Sequence, residues 1–95
     1  MLQRRLLDVS ERIRQVREEL AVSEEQSRFF EEEADDARLR ALVSETPVAE
    51  AESREARRHA DTLARHRDEL RRTIVELERE RDALLDRMAG ELADQ

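Results

Sequence analysis

The chain has 95 residues, of which 45% are charged and 2% are aromatic, and it contains no Trp, Tyr or Cys. A chain of this size holds at most one domain, this composition excludes an ordinary globular core, and the missing cysteines exclude disulfides and thiolate chemistry. The net charge of −7 argues against nucleic acid as a partner, because nucleic-acid-binding domains carry basic surfaces. Such a composition is typical of coiled coils and long helices.

A heptad repeat of apolar and small residues runs through the first half of the chain. Its steps of four and three residues continue without a break, which predicts a helix over about residues 2–43. A repeat sustained this long also argues against disorder, the alternative for so charged a chain. These positions, which we call the seam of the helix, are Leu2, Leu6, Val9, Ile13, Val16, Leu20, Ser23, Ser27, Phe30, Ala34, Ala37 and Ala41.

The only proline, Pro47, interrupts this pattern near the midpoint. Because the residue before proline avoids the helical conformation and Thr46 is a good N-cap, we predict a turn at about residues 44–47 and a second helix over about 47–90. The only glycine, Gly90, predicts the end of that helix, with residues 91–95 as a frayed tail. The second seam is Ala49, Ser53, Ala56, Ala60, Leu63, Arg67, Leu70, Ile74, Leu77, Arg81, Leu84 and Met88.

The two seams pair in antiparallel order, with residue numbers that sum to 90 in every pair. The pairing places Arg67 opposite Ser23. It also predicts ion pairs between the helices, among them Glu31 with Arg57, Arg38 with Glu50 and Arg12 with Glu80. We therefore expect an all-α fold in which residues 1–95, as a single domain, form an antiparallel coiled-coil hairpin. Dimerisation to a four-helix bundle is a further expectation. The alternative is a pair of long helices that associate only between chains.

Nothing in the sequence has the pattern of a catalytic or metal centre. His59 and His66 lie one heptad apart, about 10.5 Å along a helix, which is too far for one metal ion. Glu55 and His59 have helical ligand spacing, but with Glu33 opposite them we expect a surface salt-bridge cluster. A two-helix fold also offers no deep pocket. We expect no catalytic, cofactor-binding or metal-binding residue and predict that the chain is not an enzyme.

Two runs of opposite charge lie on the two predicted helices. Residues 24–36 hold seven acidic residues and one Arg, whereas residues 54–72 hold seven Arg and four acidic residues. The hairpin brings these runs together, so we expect them to pair within the chain. The alternative is that the basic run contacts nucleic acid or another acidic surface, and the facing acidic run argues against phosphate there.

Apolar residues outside the seam indicate a partner surface in the half of the chain nearest the turn. Exposed apolar residues that form a connected stripe suggest an interface, and the alternative is that they only close the turn or pack locally. The simplest partner is a second copy or another helical protein; we expect neither a small molecule nor a membrane. The candidate partner-binding residues are Val22, Phe29, Leu39, Leu42, Val43 and Val48.

The sequence also bears on location and source. No apolar run is long enough to span a membrane, and residues 1–7 lack an apolar signal core, so we expect a cytoplasmic protein. All 18 basic residues are Arg, which is typical of a GC-rich bacterial genome.

Three families of helical hairpins resemble parts of this pattern. The chain is similar in size to the secreted WXG hairpins but lacks their Trp-x-Gly turn, which excludes membership. Residues 32–37, Glu-Glu-Ala-Asp-Asp-Ala, resemble the acidic motif of coiled-coil fingers that enter the RNA polymerase secondary channel, although here two Ala lie in the seam. Glu19 and Ser23 resemble the start of a signature in helical-hairpin anti-sigma factors, which Gln26, Phe30 and Ala34 do not continue.

These observations lead to two functional expectations. The first is a non-enzymatic interaction or adaptor module that associates with itself. The alternative, implied by the resemblances alone, is a transcription-associated regulator that binds RNA polymerase or a sigma factor.

Overall fold

The computed structural model describes residues 1–94, which form two α-helices, α1 (Leu2–Ser44) and α2 (Pro47–Ala93). The predicted helical hairpin is confirmed. Helix α1 begins where the heptad repeat begins, and α2 begins at Pro47 as predicted. The chain reverses within two residues, so the connection is shorter than the predicted turn at residues 44–47.

Glu45 and Thr46 make this connection with defined hydrogen bonds. The Glu45 amide donates to the Ala41 carbonyl at 3.0 Å, and Glu45 itself has a φ of 52°, the left-handed conformation that commonly ends helices. The Thr46 hydroxyl then accepts a hydrogen bond from the Ala49 amide at 3.2 Å, so Thr46 is the N-cap of α2. Ser44 stays in α1 because the left-handed residue comes one position later.

The predicted end of α2 at Gly90 is wrong. The helix continues to Ala93, and the Asp94 amide donates to the Gly90 carbonyl at 3.2 Å. Gly90 has no positive φ, so it does not adopt the conformation in which glycine ends a helix. A glycine inside a helix only lowers its stability by about 0.5–1 kcal/mol, which the preceding turns can offset. Gln95 of the predicted tail lies outside the described residues.

The hairpin consists of two compact units, which we call the terminal unit (residues 1–20 with 70–94) and the turn unit (residues 21–69). In the terminal unit, Val9, Ile13 and Leu84 form one apolar cluster, and Val16, Leu70 and Ile74 form a second. Leu77 packs against both clusters. Branched aliphatic side chains from both helices therefore form the core of this unit. The prediction of a single domain stays a prediction.

Small residues form the interior of the turn unit. Its buried residues are Ser23, Ser27, Ala34, Ala37 and Ala60. These side chains remove little apolar area from water, about a methyl group each at most, whereas each buried Leu or Ile contributes roughly 1.5–3 kcal/mol. The two units thus share one helical architecture but differ in the free energy that their interiors supply.

The predicted seam matches the observed burial. Across residues 1–94, every buried residue lies at a seam position, and every seam position is at least partly buried. The antiparallel order also agrees with the clusters, because Val16 of α1 clusters with Leu70 and Ile74 of α2, and Leu20 packs against the same cluster.

One predicted seam contact differs in the structure. The Arg67 guanidinium donates to the hydroxyl of Ser27 at 3.3 Å instead of that of Ser23, and it also contacts Asp68 at 3.1 Å. A long side chain reaches the neighbouring layer toward the turn, which the pairing of Cα positions does not capture. Ser23 is left 2% exposed, and its hydroxyl oxygen has no hydrogen-bond partner within residues 1–94.

Ion pairs between the helices follow the predicted register only in part. Arg57 contacts Glu31 at 2.7 Å, which confirms that pair. In the terminal unit, Arg5 contacts Glu80 at 3.2 Å, whereas Arg12 was predicted to do so. These groups are exposed, and exposed ion pairs contribute about 0–1 kcal/mol each. They therefore follow the packing of the seam and do not determine it.

A local cluster of charged side chains on α1 joins Arg14 to Glu11 and Glu18. Arg14 donates to Glu11 at 2.5 Å and to Glu18 at 2.6 Å. The hydrogen bond from Arg14 lowers the pKa of the Glu11 carboxyl, and the pKa of Arg14 is raised first by the same hydrogen bond. Both side chains are more than half exposed, so this cluster belongs to the solvated face of the helix.

Candidate interaction surface

The six candidate residues for partner binding are all exposed in the turn unit. Their exposed fractions run from 56% for Val22 and Phe29 to 85% for Val43. On α1, Val22, Phe29 and Val43 occupy equivalent heptad positions, with Leu39 and Leu42 on neighbouring positions, and Val48 follows at the start of α2. The predicted exposure is therefore observed, and partner binding by these residues stays a prediction.

Closure of the turn does not account for the three residues next to it. Leu42, Val43 and Val48 all remain more than 60% exposed. A turn closed by these side chains would bury them against one another. The connection is instead formed by backbone hydrogen bonds and the Thr46 cap, so their apolar surface faces solvent.

Phe29 has a partial partner within the chain. Its ring meets that of Phe30 edge to face, with centroids 5.2 Å apart, and Phe30 in turn contacts the His59 ring at 4.7 Å. This geometry is favourable for aromatic pairs. Phe29 thus packs locally on one edge, as the alternative interpretation expected, and still exposes more than half of its surface.

The contact with Phe30 also corrects the predicted salt-bridge cluster around His59. Among residues 1–94, His59 forms no ion pair with Glu33 or Glu55, and its ring lies against Phe30 at the edge of the seam. The partly buried Phe30 offers the imidazole an apolar face, whereas both carboxylates are exposed to water.

Exposed apolar residues are not confined to the turn unit, which the sequence interpretation missed. Leu7, Val75, Leu85 and Leu92 are also exposed, in the terminal unit. All four lie outside the seam in the sequence, so the same rule that selected Leu39 could have selected them. The terminal unit is well packed inside and still carries apolar surface outside.

A second surface feature of the turn unit is a groove walled by arginines. Ala34 and Ser53 contribute to its lining, and four Arg side chains complete it: Arg38 from α1 and Arg54, Arg57 and Arg58 from α2. Its volume is about 480 Å³. Small seam residues leave this space because they do not fill the gap between two helices. From the sequence, we predicted no deep pocket and expected these arginines to form ion pairs within the chain.

Among residues 1–94, only Arg57 of the four groove arginines forms an ion pair. Arg57 contacts Glu31 at 2.7 Å and both Asp35 and Asp61 at 3.6 Å, and the hydrogen bond to Glu31 is the main cause of its raised pKa. Arg38, Arg54 and Arg58 form no ion pair with any of residues 1–94. The predicted partner of Arg38, Glu50, does not reach it. The groove therefore has one guanidinium held by carboxylates and three that form no ion pair within the described part of the chain.

Residues 1–94 show neither a metal-binding cluster nor a membrane-spanning helix. Residues 1–94 contain no group of three or more His, Asp or Glu side chains arranged to hold a metal ion. Neither described helix has a stretch both long and apolar enough to cross a bilayer. That the chain is not an enzyme stays a prediction.

Comparison with known proteins adds no assignment: no protein-family model matches the chain, and neither a curated protein nor a solved structure matches it. Proposals about function therefore depend on the residues and geometry described above.

Proposed function

We propose that the chain is a non-enzymatic coiled-coil hairpin that acts as a protein–protein interaction or adaptor module and associates with itself through the turn unit. The interface would include Val22, Phe29, Leu39, Leu42, Val43 and Val48. A four-helix bundle made of two hairpins is the simplest arrangement. The proposal includes the cytoplasmic location expected from the sequence.

The observation that supports this proposal is the exposed apolar surface on a unit with a weak interior. Six apolar side chains, each more than half exposed, accompany an interior whose fully buried residues are all Ala or Ser. Burying such surface against a partner contributes about 25 cal/mol per Å². A small helical scaffold with little internal apolar burial gains stability from oligomerisation. The turn unit therefore exposes an apolar surface that a partner could cover, and it would gain stability from that burial.

Sedimentation equilibrium of wild type and Leu39→Glu tests this proposal. We expect the wild-type mass to exceed the 11.2 kDa of one chain. Leu39 lies opposite the seam, so Leu39→Glu should leave the helices intact while it places a charge in the interface. We expect the dissociation constant to rise by about ten-fold or more, since burial of a leucine side chain is worth roughly 1.5–3 kcal/mol.

Leu7→Glu is the matched control. Leu7 is 67% exposed and Leu39 is 60% exposed, but Leu7 belongs to the terminal unit. The control should retain the wild-type mass. A monomeric wild type would contradict self-association, and equal losses in both variants would contradict an interface confined to the turn unit.

The alternative function, a regulator that binds RNA polymerase or a sigma factor, stays a prediction from resemblance. No contact or exposed residue described above favours it over self-association.

A further inference from the structure

We propose that the arginine-walled groove of the turn unit binds a ligand that carries several phosphate groups, with Arg38, Arg54 and Arg58 as its main contacts. This inference goes beyond self-association, because the ligand is a small anion and the site differs from the six apolar residues. It also revises the expectation from the sequence that no small molecule binds.

Three arginines of the groove carry charges that no carboxylate among residues 1–94 pairs with. Arg54 and Arg58 belong to the basic run that was expected to pair with the acidic run of α1, whereas Arg38 lies on α1. None of the three has an ion-pair partner within residues 1–94. All three are exposed and line one groove. Guanidinium groups present planar forks of donors that match phosphate oxygens, which makes Arg the side chain best suited to such ligands. These three cations converge on one site in a chain whose net charge is −7.

The groove brings side chains of both helices together around an open space. Arg54 and Arg58 are one turn apart on α2, so their side chains lie on the same face, and Arg38 comes from the opposite helix. Ala34 and Ser53 are small enough to leave room between these side chains, and the Ser53 hydroxyl is a further donor. The volume of about 480 Å³ lies within the range of small-molecule sites, about 300–1,000 Å³.

Arg57 has a different role from its three neighbours. Its guanidinium pairs with Glu31, Asp35 and Asp61, so its charge is already neutralised, and its side chain lines the groove. These carboxylates repel phosphate, and they lower the affinity of the groove for any anion. They do not occupy the other three arginines of the groove, which stay available to a ligand. A ligand with several phosphates can contact the three free arginines together, and its binding should weaken steeply with salt.

The experiment is calorimetric titration of the full chain with sodium tripolyphosphate at low ionic strength. We expect saturable binding to wild type. The double variant Arg54→Gln with Arg58→Gln should lower the affinity by at least about ten-fold, because two charge-assisted hydrogen-bonding groups are lost. Far-UV circular dichroism confirms that this variant is folded.

The matched control is Arg72→Gln with Arg79→Gln. It removes the same two charges from α2 in the terminal unit, where both side chains are exposed. The affinity of the control for tripolyphosphate should be within about two-fold of the wild-type affinity, because the two removed charges lie outside the groove and salt screens them. Equal losses in both double variants would show general electrostatic attraction and overturn the proposal, as would the absence of saturable binding to wild type.

Two further titrations identify the source of the phosphates and the main competitor. The first titration uses adenosine triphosphate. Equal affinities for adenosine triphosphate and tripolyphosphate support a site that recognises only the phosphate chain. A higher affinity for adenosine triphosphate supports a nucleotide as the ligand. Hexaglutamate peptide is the competitor. If this peptide binds more tightly than tripolyphosphate and displaces it, the groove fits an acidic protein segment better, and the proposal is overturned. Sedimentation of the same variants reports self-association separately, so the two proposals can fail independently.

Discussion

Two buried serines, Ser23 and Ser27, lie in the seam of the turn unit and differ in their hydrogen bonding. The hydroxyl of Ser27 accepts a hydrogen bond from Arg67 at 3.3 Å. The hydroxyl of Ser23 is equally buried and has no partner within residues 1–94. A buried polar group without a hydrogen bond costs about 1–3 kcal/mol in desolvation, so two chemically identical side chains contribute to stability with opposite signs.

The two serines should therefore respond oppositely to alanine. Ser23→Ala removes the unsatisfied hydroxyl and should raise the free energy of unfolding by about 1 kcal/mol. Ser27→Ala is the control of equal size, and the loss of its hydrogen bond to Arg67 should lower the free energy of unfolding by about 0.5–1.5 kcal/mol. Urea unfolding followed by circular dichroism measures both. Destabilisation by Ser23→Ala would mean that its hydroxyl has a partner in solution.

At the scale of the helices, the connection between α1 and α2 depends on one residue in an unfavourable conformation. Glu45 has a φ of 52°, in the left-handed region that a Cβ atom disfavours. The neighbouring Thr46 cap and Pro47 stabilise the start of α2 at the next positions. The sharp reversal thus combines a favourable helix start with a strained helix end.

Glu45→Gly should relieve this strain. Glycine adopts the left-handed region without steric cost, so we expect the free energy of unfolding to rise by about 0.5–1 kcal/mol after the greater freedom of the unfolded chain is subtracted. The control is Ser44→Gly at the last residue of α1, where the helical conformation needs no glycine. That control should lower the free energy of unfolding in the same urea experiment. A lower stability for Glu45→Gly than for wild type would contradict the strain.

At the scale of the whole molecule, the apolar interior is unevenly distributed along the chain. The terminal unit buries Val9, Ile13, Ile74 and Leu84, whereas the turn unit buries Ala and Ser side chains. Because local stability depends on the apolar contacts that each segment makes, different parts of one helix can open with different free energies. Both helices pass through both units, so the difference should appear within α1 and within α2.

Amide hydrogen exchange should detect this difference. In dilute protein we expect residues 21–44 and 47–69 to exchange about ten-fold or more faster than residues 5–20 and 70–88, because the smaller core opens more often. At high concentration, the proposed self-association through the turn unit should slow exchange in residues 21–69 and leave the terminal unit unchanged. Uniform exchange in dilute protein would contradict unequal local stability. Concentration-dependent protection of the terminal unit alone would place the interface elsewhere.

The amino-acid sequence by itself determined the architecture of this protein. The heptad steps from Leu2 to Ala41, the Thr46-Pro47 helix start and the antiparallel pairing are local or periodic properties, and the burial of Val16 and Ala60 agrees with them. The exposure of Leu39 and Val43 could also be predicted, because a residue outside the seam of a hairpin faces solvent. Gly90 misled the prediction, since a single glycine ends a helix only when its backbone turns left-handed.

Only the tertiary structure decided which charged and polar side chains meet. Arg67 reaches Ser27 instead of Ser23, Arg5 instead of Arg12 contacts Glu80, and Arg38 lacks its predicted partner. Long side chains span more than one layer of the seam and gain little from any single exposed pair, so heptad position does not specify their contacts. The arginine-walled groove depends on these choices together with the space beside Ala34 and Ser53, and it could be found only from the folded chain.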